Sequence, residues 1–224
     1  MDYKYPNTDD IKEETKRLLN IHFTKNIIFY ITIISCLYII SNKSIGSFKF
    51  VKCIFTWLCI SFAGYTIHVI SHNFNIRFLL NGNNIFLQNK TINNFITKII
   101  DTYEFHDKIH HDINVNKKIH NIFYEFFLNI LTQGLGLILL IEFLKILDYR
   151  VIFLWAFFYT SVHNINYNIM HPTTHKNHHT NCKTNYGIDL MDILFNTKYD
   201  KNDIENFNHA SINILLFTFI IYFL

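Results

Sequence analysis

The sequence predicts an all-α integral membrane protein with about four transmembrane helices, arranged in two hairpins beneath a cytoplasmic, histidine-rich helical cap. Half of the 224 residues are hydrophobic and only 17% are charged, which is apolar for a chain of this length. Uncharged runs of bilayer length recur along the chain. Thirteen histidines are present, and most of them fall at the ends of these runs.

Charge and cysteine content exclude several classes of protein. The net charge is only +3 and the basic residues are scattered, so nucleic-acid binding is not expected. The four cysteines form no CxxC pair, which argues against a disulfide framework or a cysteine zinc site. Residues 1–21 form a polar segment of mixed charge, unlike a cleavable signal peptide. We expect one membrane domain at 22–211 to follow it, and an apolar tail at 212–224.

The first predicted hairpin covers residues 22–42 and 50–71. The first helix contains an uncharged run at 26–42, close to the length that a ~30 Å bilayer core requires at ~1.5 Å per residue. A short polar connection leads to the second helix, which should run antiparallel to the first. That helix ends in His68 and His72, four residues apart and therefore on one helical face.

An amphipathic segment follows the first hairpin. Its apolar stripe turns into a histidine stripe, in the order Ile92, Ile96, Ile99, Tyr103, His106 and His110. His111 completes this second cluster, HDKIHH at 106–111. The apolar part of the helix is suited to the membrane surface. The alternative is a packed amphipathic helix with polar ends.

The second predicted hairpin covers residues 119–147 and 151–170. The first of these helices exceeds the bilayer core, so one end should project into water. The second carries His163 and leads to His171, where Pro172 disfavours further helix. The thirteen apolar residues at 212–224 are too short to span a bilayer, and we interpret them as an interfacial or re-entrant tail.

A third cluster, HKNHH, contains His175, His178 and His179 at i, i+3 and i+4. This spacing puts three imidazoles on one helical face, and imidazole favours iron, zinc or copper over calcium or magnesium. The two hairpins bring all clusters to one side of the membrane. Ten histidines are thus candidate metal ligands, more than one structural zinc site needs and enough for two ions: His68, His72, His106, His110, His111, His163, His171, His175, His178 and His179. For each cluster alone, solvated or interfacial histidine is the alternative, and it is favoured for His22, His120 and His209.

Basic residues predict the orientation. The far connections hold Lys43, Lys49, Lys52, Lys145 and Arg150, and the other fifteen basic residues lie on the histidine side. By the positive-inside tendency the histidine side should be cytoplasmic.

Four motifs resemble the fatty acid hydroxylase and sterol desaturase superfamily of membrane di-iron oxygenases. They are HVISH at 68–72, HDKIHH at 106–111, HKNHH at 175–179 and NYGIDLMDILFNT at 185–197. The resemblance covers about 130 residues. Asp107 stands where Arg is frequent in the family, which affects the expected substrate subclass. Asn196 replaces the Gly of LFGT, and Asn tolerates the left-handed backbone expected there.

The resemblance implies two iron ions at the ten histidines, with zinc able to replace them in purified samples, and no catalytic residue separate from these ligands. It implies O2-dependent hydroxylation of an unactivated C–H bond in a fatty acyl, sphingoid or sterol lipid, with desaturation as the alternative. Electrons would come from cytochrome b5 or a reductase, in the endoplasmic reticulum or an equivalent internal membrane. Nearby carboxylates would orient the rings or be simply solvated or capping: Glu104, Asp107, Asp112, Asp189 and Asp192.

Three hypotheses lie outside this enzyme class. A non-catalytic metal-binding scaffold of the same fold remains open. A metal transporter would place its ligands near the bilayer midplane, whereas these histidines lie at and beyond helix ends. A membrane haem protein would need opposed single histidines inside spanning helices, which the clustered triplets do not resemble.

Overall fold

The computed structural model describes residues 8–73, 89–103, 119–135 and 146–224. These residues contain helices and no β-strand, which confirms the all-α class for the described ranges. The helices are α1 (Thr8–Lys25), α2 (Ile27–Ser41), α3 (Lys49–Asn73), α4 (Lys90–Tyr103), α5 (Ile119–Ile130), α6 (Tyr149–Ser161), α7 (Tyr167–Met170), α8 (Thr173–Thr180), α9 (Asp189–Leu194) and α10 (Ser211–Phe223). Two π-helical segments, Leu131–Leu135 and Val162–Asn166, continue α5 and α6, and the 3-10 turn Phe207–Ala210 precedes α10.

Helix α6 lies at the centre of the fold. It packs against α3, α5 and α10, and α2 contacts both α3 and α10. Leu154, Trp155 and Phe158 of α6 are buried in the main apolar core, which α2, α3 and α10 complete. This bundle supports the polar layer that carries the histidines.

A sharp bend separates α1 from α2. The single straight helix predicted at 22–42 is instead two helices that meet at 74°. Asn26 lies at the break, where its Nδ2 donates to the carbonyl of Glu205 at 3.0 Å and its Oδ1 accepts from the N–H of Phe207 at 2.6 Å. At ~1.5 Å per residue, α2 is about 22 Å long, shorter than a bilayer core.

Asn208 supplies the partners that the broken helix lacks. Its Nδ2 donates to the carbonyl of Lys25 at 2.8 Å, and its Oδ1 accepts from the N–H of Phe29 at 3.0 Å. Backbone groups at a helix end need such partners when they leave water. The bend is therefore stabilised from both sides by residues far along the chain.

Helix α3 matches the predicted second helix and is long and apolar enough to cross a membrane. The α1–α2 pair meets the same test only if the bent pair is counted as one span, and no other helix among the described residues meets it. The outer faces of α2 and α10 expose many large apolar side chains: Ile28, Ile31, Ile34, Tyr38, Ile212, Leu216 and Phe219. Apolar surface of this extent usually meets lipid or a partner.

The described parts of the second predicted hairpin begin near the expected positions. Helix α5 starts at Ile119, as predicted; residues 136–145 of that predicted helix lie outside the described residues, and residues 146–147 at its predicted end are not helical. Helix α6 continues through its π-helical segment into α7. His171 then adopts a left-handed φ of 47°, which confirms the predicted helix end.

Helix α10 is an integral part of the bundle. It packs against α2 and α6, and its Ile214 and Ile221 belong to the main core. The apolar tail is therefore a core helix of this fold, while its position relative to a membrane stays a prediction.

Candidate metal centre

Six of the ten predicted ligands converge on one polar layer. The last turns of α3 carry His68 and His72, and the π-helical segment after α6 carries His163. Helix α8 carries the remaining three, His175, His178 and His179. His106, His110 and His111 lie outside the described residues.

The first histidine group consists of His68, His72 and His178. One ring nitrogen from each lies within 4.8 Å of the other two, so these three residues could hold a metal ion. The Nε2 atoms of His68 and His72 are 3.1 Å apart. Two nitrogens bound to one ion at about 2.1 Å, in tetrahedral or octahedral geometry, would be roughly 3.0 to 3.4 Å apart. The observed separation fits two ligands of one ion, and it is equally the length of a hydrogen bond between the two rings.

Backbone carbonyls orient two rings of this group. The Nδ1 of His68 hydrogen-bonds the carbonyl oxygen of Tyr186, and the Nδ1 of His178 hydrogen-bonds that of Thr184 at 2.6 Å. A carbonyl oxygen only accepts, so each Nδ1 carries the proton and each Nε2 presents its lone pair. Burial also lowers the pKa of His178 to about 3, which keeps the ring neutral at physiological pH.

The second histidine group consists of His163, His175, His179 and Glu125. The Nε2 atoms of His175 and His179 are 3.0 Å apart, but among the described residues only the first group brings three ligand atoms within 4.8 Å of one another. The rings of His163 and His175 have centroids 4.9 Å apart, and His163 Nε2 lies 3.5 Å from Glu125 Oε1. Burial lowers the pKa of His179 to about 4, so this ring is neutral as well.

The two groups are neighbours because α8 contributes to both. His178 faces the first group, while His175 and His179 belong to the second. The ring centroids of His175 and His178 are 6.5 Å apart. The i, i+3, i+4 spacing predicted from the sequence thus serves two adjacent groups instead of one common point.

Three other histidines differ in location or burial from what the sequence predicts. His171 is exposed and belongs to neither group, although it was among the ten candidate ligands. His22, expected at the surface, is only 1% exposed, and its Nε2 lies 2.6 Å from the Tyr30 hydroxyl. His209 is half-buried and its Nδ1 lies 3.0 Å from Nδ2 of Asn166. His22 and His209 thus have packing roles in polar contacts between helices.

Glu125 is the site residue that the sequence reasoning missed. It immediately precedes the apolar run at 126–141, so the periodicity of that helix does not mark it as a ligand. Glu125 is nevertheless buried, since only 7% of the residue is exposed. An ionisable residue at the edge of an apolar helix is by itself a signal of a functional site, and this signal was present in the sequence.

Asp192 acts on the first group through the backbone. Its carboxylate accepts from the N–H of Tyr186 at 2.9 Å, from the N–H of Gly187 at 3.1 Å and from the hydroxyl of Thr197 at 2.7 Å. These bonds fix the turn whose Tyr186 carbonyl accepts from His68. Asn196 has a φ of 55°, which confirms the left-handed backbone predicted at this position.

The remaining predicted carboxylates lie behind the rings or outside the described residues. Asp189 pairs with Lys198 at 2.6 Å and accepts from the N–H of Glu205, also at 2.6 Å. Glu205 in turn accepts from the hydroxyl of Thr174, at the start of α8, at 2.7 Å. The three not described are Glu104, Asp107 and Asp112.

A small cavity of about 40 Å³ separates the histidines from this carboxylate network. His68, His163, His175 and His178 line one part of it, and Glu205 lies among the other lining residues. Such a volume accommodates about two or three water molecules. The layer therefore has room for small ligands beside the rings.

The donor set suits transition metals. Neutral imidazole nitrogens with a carboxylate oxygen are the ligands of iron and zinc, and calcium or magnesium would need more oxygen. No protein-family model, no curated protein and no solved structure matches this chain. The superfamily resemblance therefore stays a prediction that rests on the four motifs.

Proposed function

We propose that this protein is a membrane-bound di-iron oxygenase that hydroxylates an unactivated C–H bond of a fatty acyl, sphingoid or sterol lipid. The observation that carries the proposal is the pair of adjacent histidine groups, each with two Nε2 atoms at the spacing of ligands on one ion. Two such groups side by side favour a dinuclear centre over a structural zinc site, which needs only four ligands.

The residues of each group would divide the ligation. His68, His72 and His178 would hold one iron, and His163, His175, His179 and Glu125 would hold the other, with the three undescribed histidines of the second motif as further predicted ligands. When bound, the irons would activate O2, which is the oxidant for attack on the unactivated C–H bond, with electrons from the external donor. The carbonyls of Tyr186 and Thr184 would keep two rings oriented for binding.

The lipid substrate is proposed from the position of the groups relative to apolar surface. His68 lies near the end of α3, the helix that is apolar enough to cross a membrane. A lipid could keep its tail in hydrocarbon beside this helix while one carbon reaches the histidine layer. We propose that four spanning helices in two hairpins place this layer on the cytoplasmic side of the endoplasmic reticulum or an equivalent membrane.

Electrons are proposed to come from a separate protein, such as cytochrome b5 or a reductase. The sequence contains no haem-attachment motif and no glycine-rich dinucleotide motif. A cytoplasmic histidine layer would be accessible to such a donor.

The deciding experiment supplies iron-loaded protein in lipid bilayers with a cytochrome b5 reduction system and ¹⁸O2. We expect one lipid class to gain a hydroxyl group that contains ¹⁸O, and His178→Ala to abolish the product. A new double bond without ¹⁸O would identify the desaturase alternative. Iron bound at both groups with every fatty acyl, sphingoid and sterol substrate unchanged would favour the non-catalytic scaffold.

A further inference from the structure

A line of buried polar side chains runs along α5, away from the histidine layer. Glu125, Asn129 and Gln133 are spaced four residues apart and therefore share one helical face. All three are buried, with 7%, 8% and 4% of the residue exposed. Glu125 faces His163, and Asn129 Nδ2 donates to Asn164 Oδ1 at 3.0 Å. The side-chain oxygen of Gln133 has no hydrogen-bond partner among the described residues.

Two hydrogen-bonding atoms are unsatisfied at the end of this line. Gln133 Oε1 and Trp155 Nε1 are fully buried, and neither has a hydrogen-bond partner among the described residues. Trp155 is only 2% exposed. A buried polar atom without a partner costs about 1 to 3 kcal/mol, so two such atoms in one place require an explanation.

Gly64 brings the two atoms into one site. A Cβ atom on Gly64 would overlap Gln133 Oε1 and would lie 3.4 Å from Trp155 Nε1. Because both contacts are measured from the same point, the two atoms lie within about 6 Å of one another, a gap that one bridging oxygen can span with two hydrogen bonds of about 2.9 Å. Any larger residue at position 64 would displace the Gln133 side chain.

We propose that Gly64, Gln133 and Trp155 form a binding slot for one hydroxyl group, contributed by a water molecule or by a lipid alcohol. The indole N–H only donates and the amide oxygen only accepts, so the missing ligand must accept one hydrogen bond and donate another. A hydroxyl does both with a single oxygen. A ketone or ester oxygen would satisfy the indole alone, and an ammonium group would satisfy the amide alone.

Local backbone structure is consistent with a built site. Gln133 lies in the π-helical segment Leu131–Leu135, and such segments in α-helices are frequent at functional sites. Gly64 precedes His68 by one helical turn, about 6 Å along α3. The slot therefore lies about one turn from the first histidine group, inside the apolar bundle. The proposal does not rest on bound metal or on oxygenase activity.

The test uses Trp155 as its own reporter. The chain contains two tryptophans, so Trp57→Phe leaves Trp155 as the only indole. Ultraviolet resonance Raman spectra of the purified full chain in bilayers report whether this indole N–H is hydrogen-bonded. We expect the hydrogen-bonded band, and we expect its loss in Gly64→Ala, whose methyl group would take the place of Gln133 Oε1 and displace that side chain into the slot. Ser61→Ala, one turn earlier on the same helix, is the matched control and should retain the band.

Lipid exchange identifies the source of the hydroxyl. If the band survives complete replacement of the copurified lipid, the ligand is water. If it disappears and returns with hexadecanol but not with hexadecane, the ligand is a lipid alcohol. The proposal is overturned by an N–H that is not hydrogen-bonded in any preparation, by a band that Gly64→Ala leaves unchanged, or by a high-resolution map that shows a direct bond between Gln133 and Trp155.

Discussion

His163 and Glu125 face each other across the contact between α5 and the π-helical segment after α6, with Nε2 and Oε1 3.5 Å apart. Both side chains are buried, so neither interacts mainly with bulk water. A buried carboxylate beside an imidazole either ligates the same ion or orients the ring. In the first case the second group contains an oxygen ligand, whereas the described part of the first group contains nitrogen alone.

We expect Glu125→Gln to weaken binding of one of the two ions by about 10- to 100-fold, because the neutral amide is a poorer ligand and a poorer acceptor for the ring. Glu13, exposed on α1, provides the matched control, and Glu13→Gln should leave binding unchanged. Stepwise titration of the metal-free protein with Co²⁺, followed by visible absorption, measures both affinities. Equal affinities in the wild type and Glu125→Gln would exclude a role for this carboxylate.

We expect His178→Ala to lose about one ion per chain, because the variant removes one of the three converging nitrogens of the first group. His171→Ala should retain the full metal content, since His171 is exposed and belongs to neither group. Elemental analysis of protein purified without chelators gives the comparison. If His171→Ala also loses metal, the ten ligands predicted from the sequence are favoured over the two histidine groups.

We expect Asp192→Asn to destabilise the protein by about 1 to 3 kcal/mol, because one amide oxygen cannot replace two carboxylate oxygens for three donors. The turn that holds His68 should loosen, so affinity of the first group should fall as well. Thr197→Val, which removes only one donor, should have a smaller effect on both quantities. Thermal unfolding with and without metal separates the two effects.

We expect stability to fall as the pH rises from about 7 to 8, through Glu205, because the lowered pKa values of His178 and His179 and the raised pKa of Asp192 act below this range. Burial raises the pKa of the Glu205 carboxyl from its ordinary value of 4.5 to about 8 and Asp189 raises it further, while Thr174, Tyr167 and Lys198 act against the shift. Between these two values the folded state keeps a proton that the unfolded state has released, so the folded state loses its advantage as the pH rises. Glu205→Gln should flatten the dependence of the melting temperature on pH. An unchanged pH profile in that variant would assign the effect to other groups.

We expect Asn89 to remain unglycosylated in a eukaryotic membrane, because the proposed orientation puts it on the cytoplasmic side. Asn89 belongs to an Asn-Lys-Thr acceptor sequence and its Oδ1 accepts from the N–H of Thr91 at 3.0 Å. An acceptor-bearing tag inserted into the connection between α2 and α3 should be glycosylated and serves as the positive control. Glycan at Asn89 with none on the tag would invert the proposed topology.

Local patterns were sufficient for much of the fold. The apolar run at 50–71 predicted α3 almost to its ends, and Pro172 predicted the end of the helix at His171. The spacing of HKNHH predicted a helix at 175–179, and α8 confirms it. These features depend on neighbouring residues in the chain, which is why the sequence alone indicates them.

Features that depend on distant residues could not be predicted in this way. The bend at Asn26 needs the loop around Glu205 and Asn208, and nothing near position 26 indicates it. The separation of the histidines into two groups depends on how α3, α6 and α8 pack. Glu125 was visible as an ionisable residue, but its partner His163 lies 38 residues further on and only the fold brings the two together.

The bend between α1 and α2 also imposes an order on biosynthesis. Its hydrogen-bond partners, the backbone of Glu205 and Phe207 and the side chain of Asn208, are translated about 180 residues after Asn26. At about 5 to 20 residues per second, a ribosome needs roughly 10 to 40 seconds to supply them. During that interval the nascent α1–α2 segment lacks the hydrogen bonds that fix its angle, so the segment leaves the ribosome before its final geometry exists. The angle is a late event in the maturation of the chain.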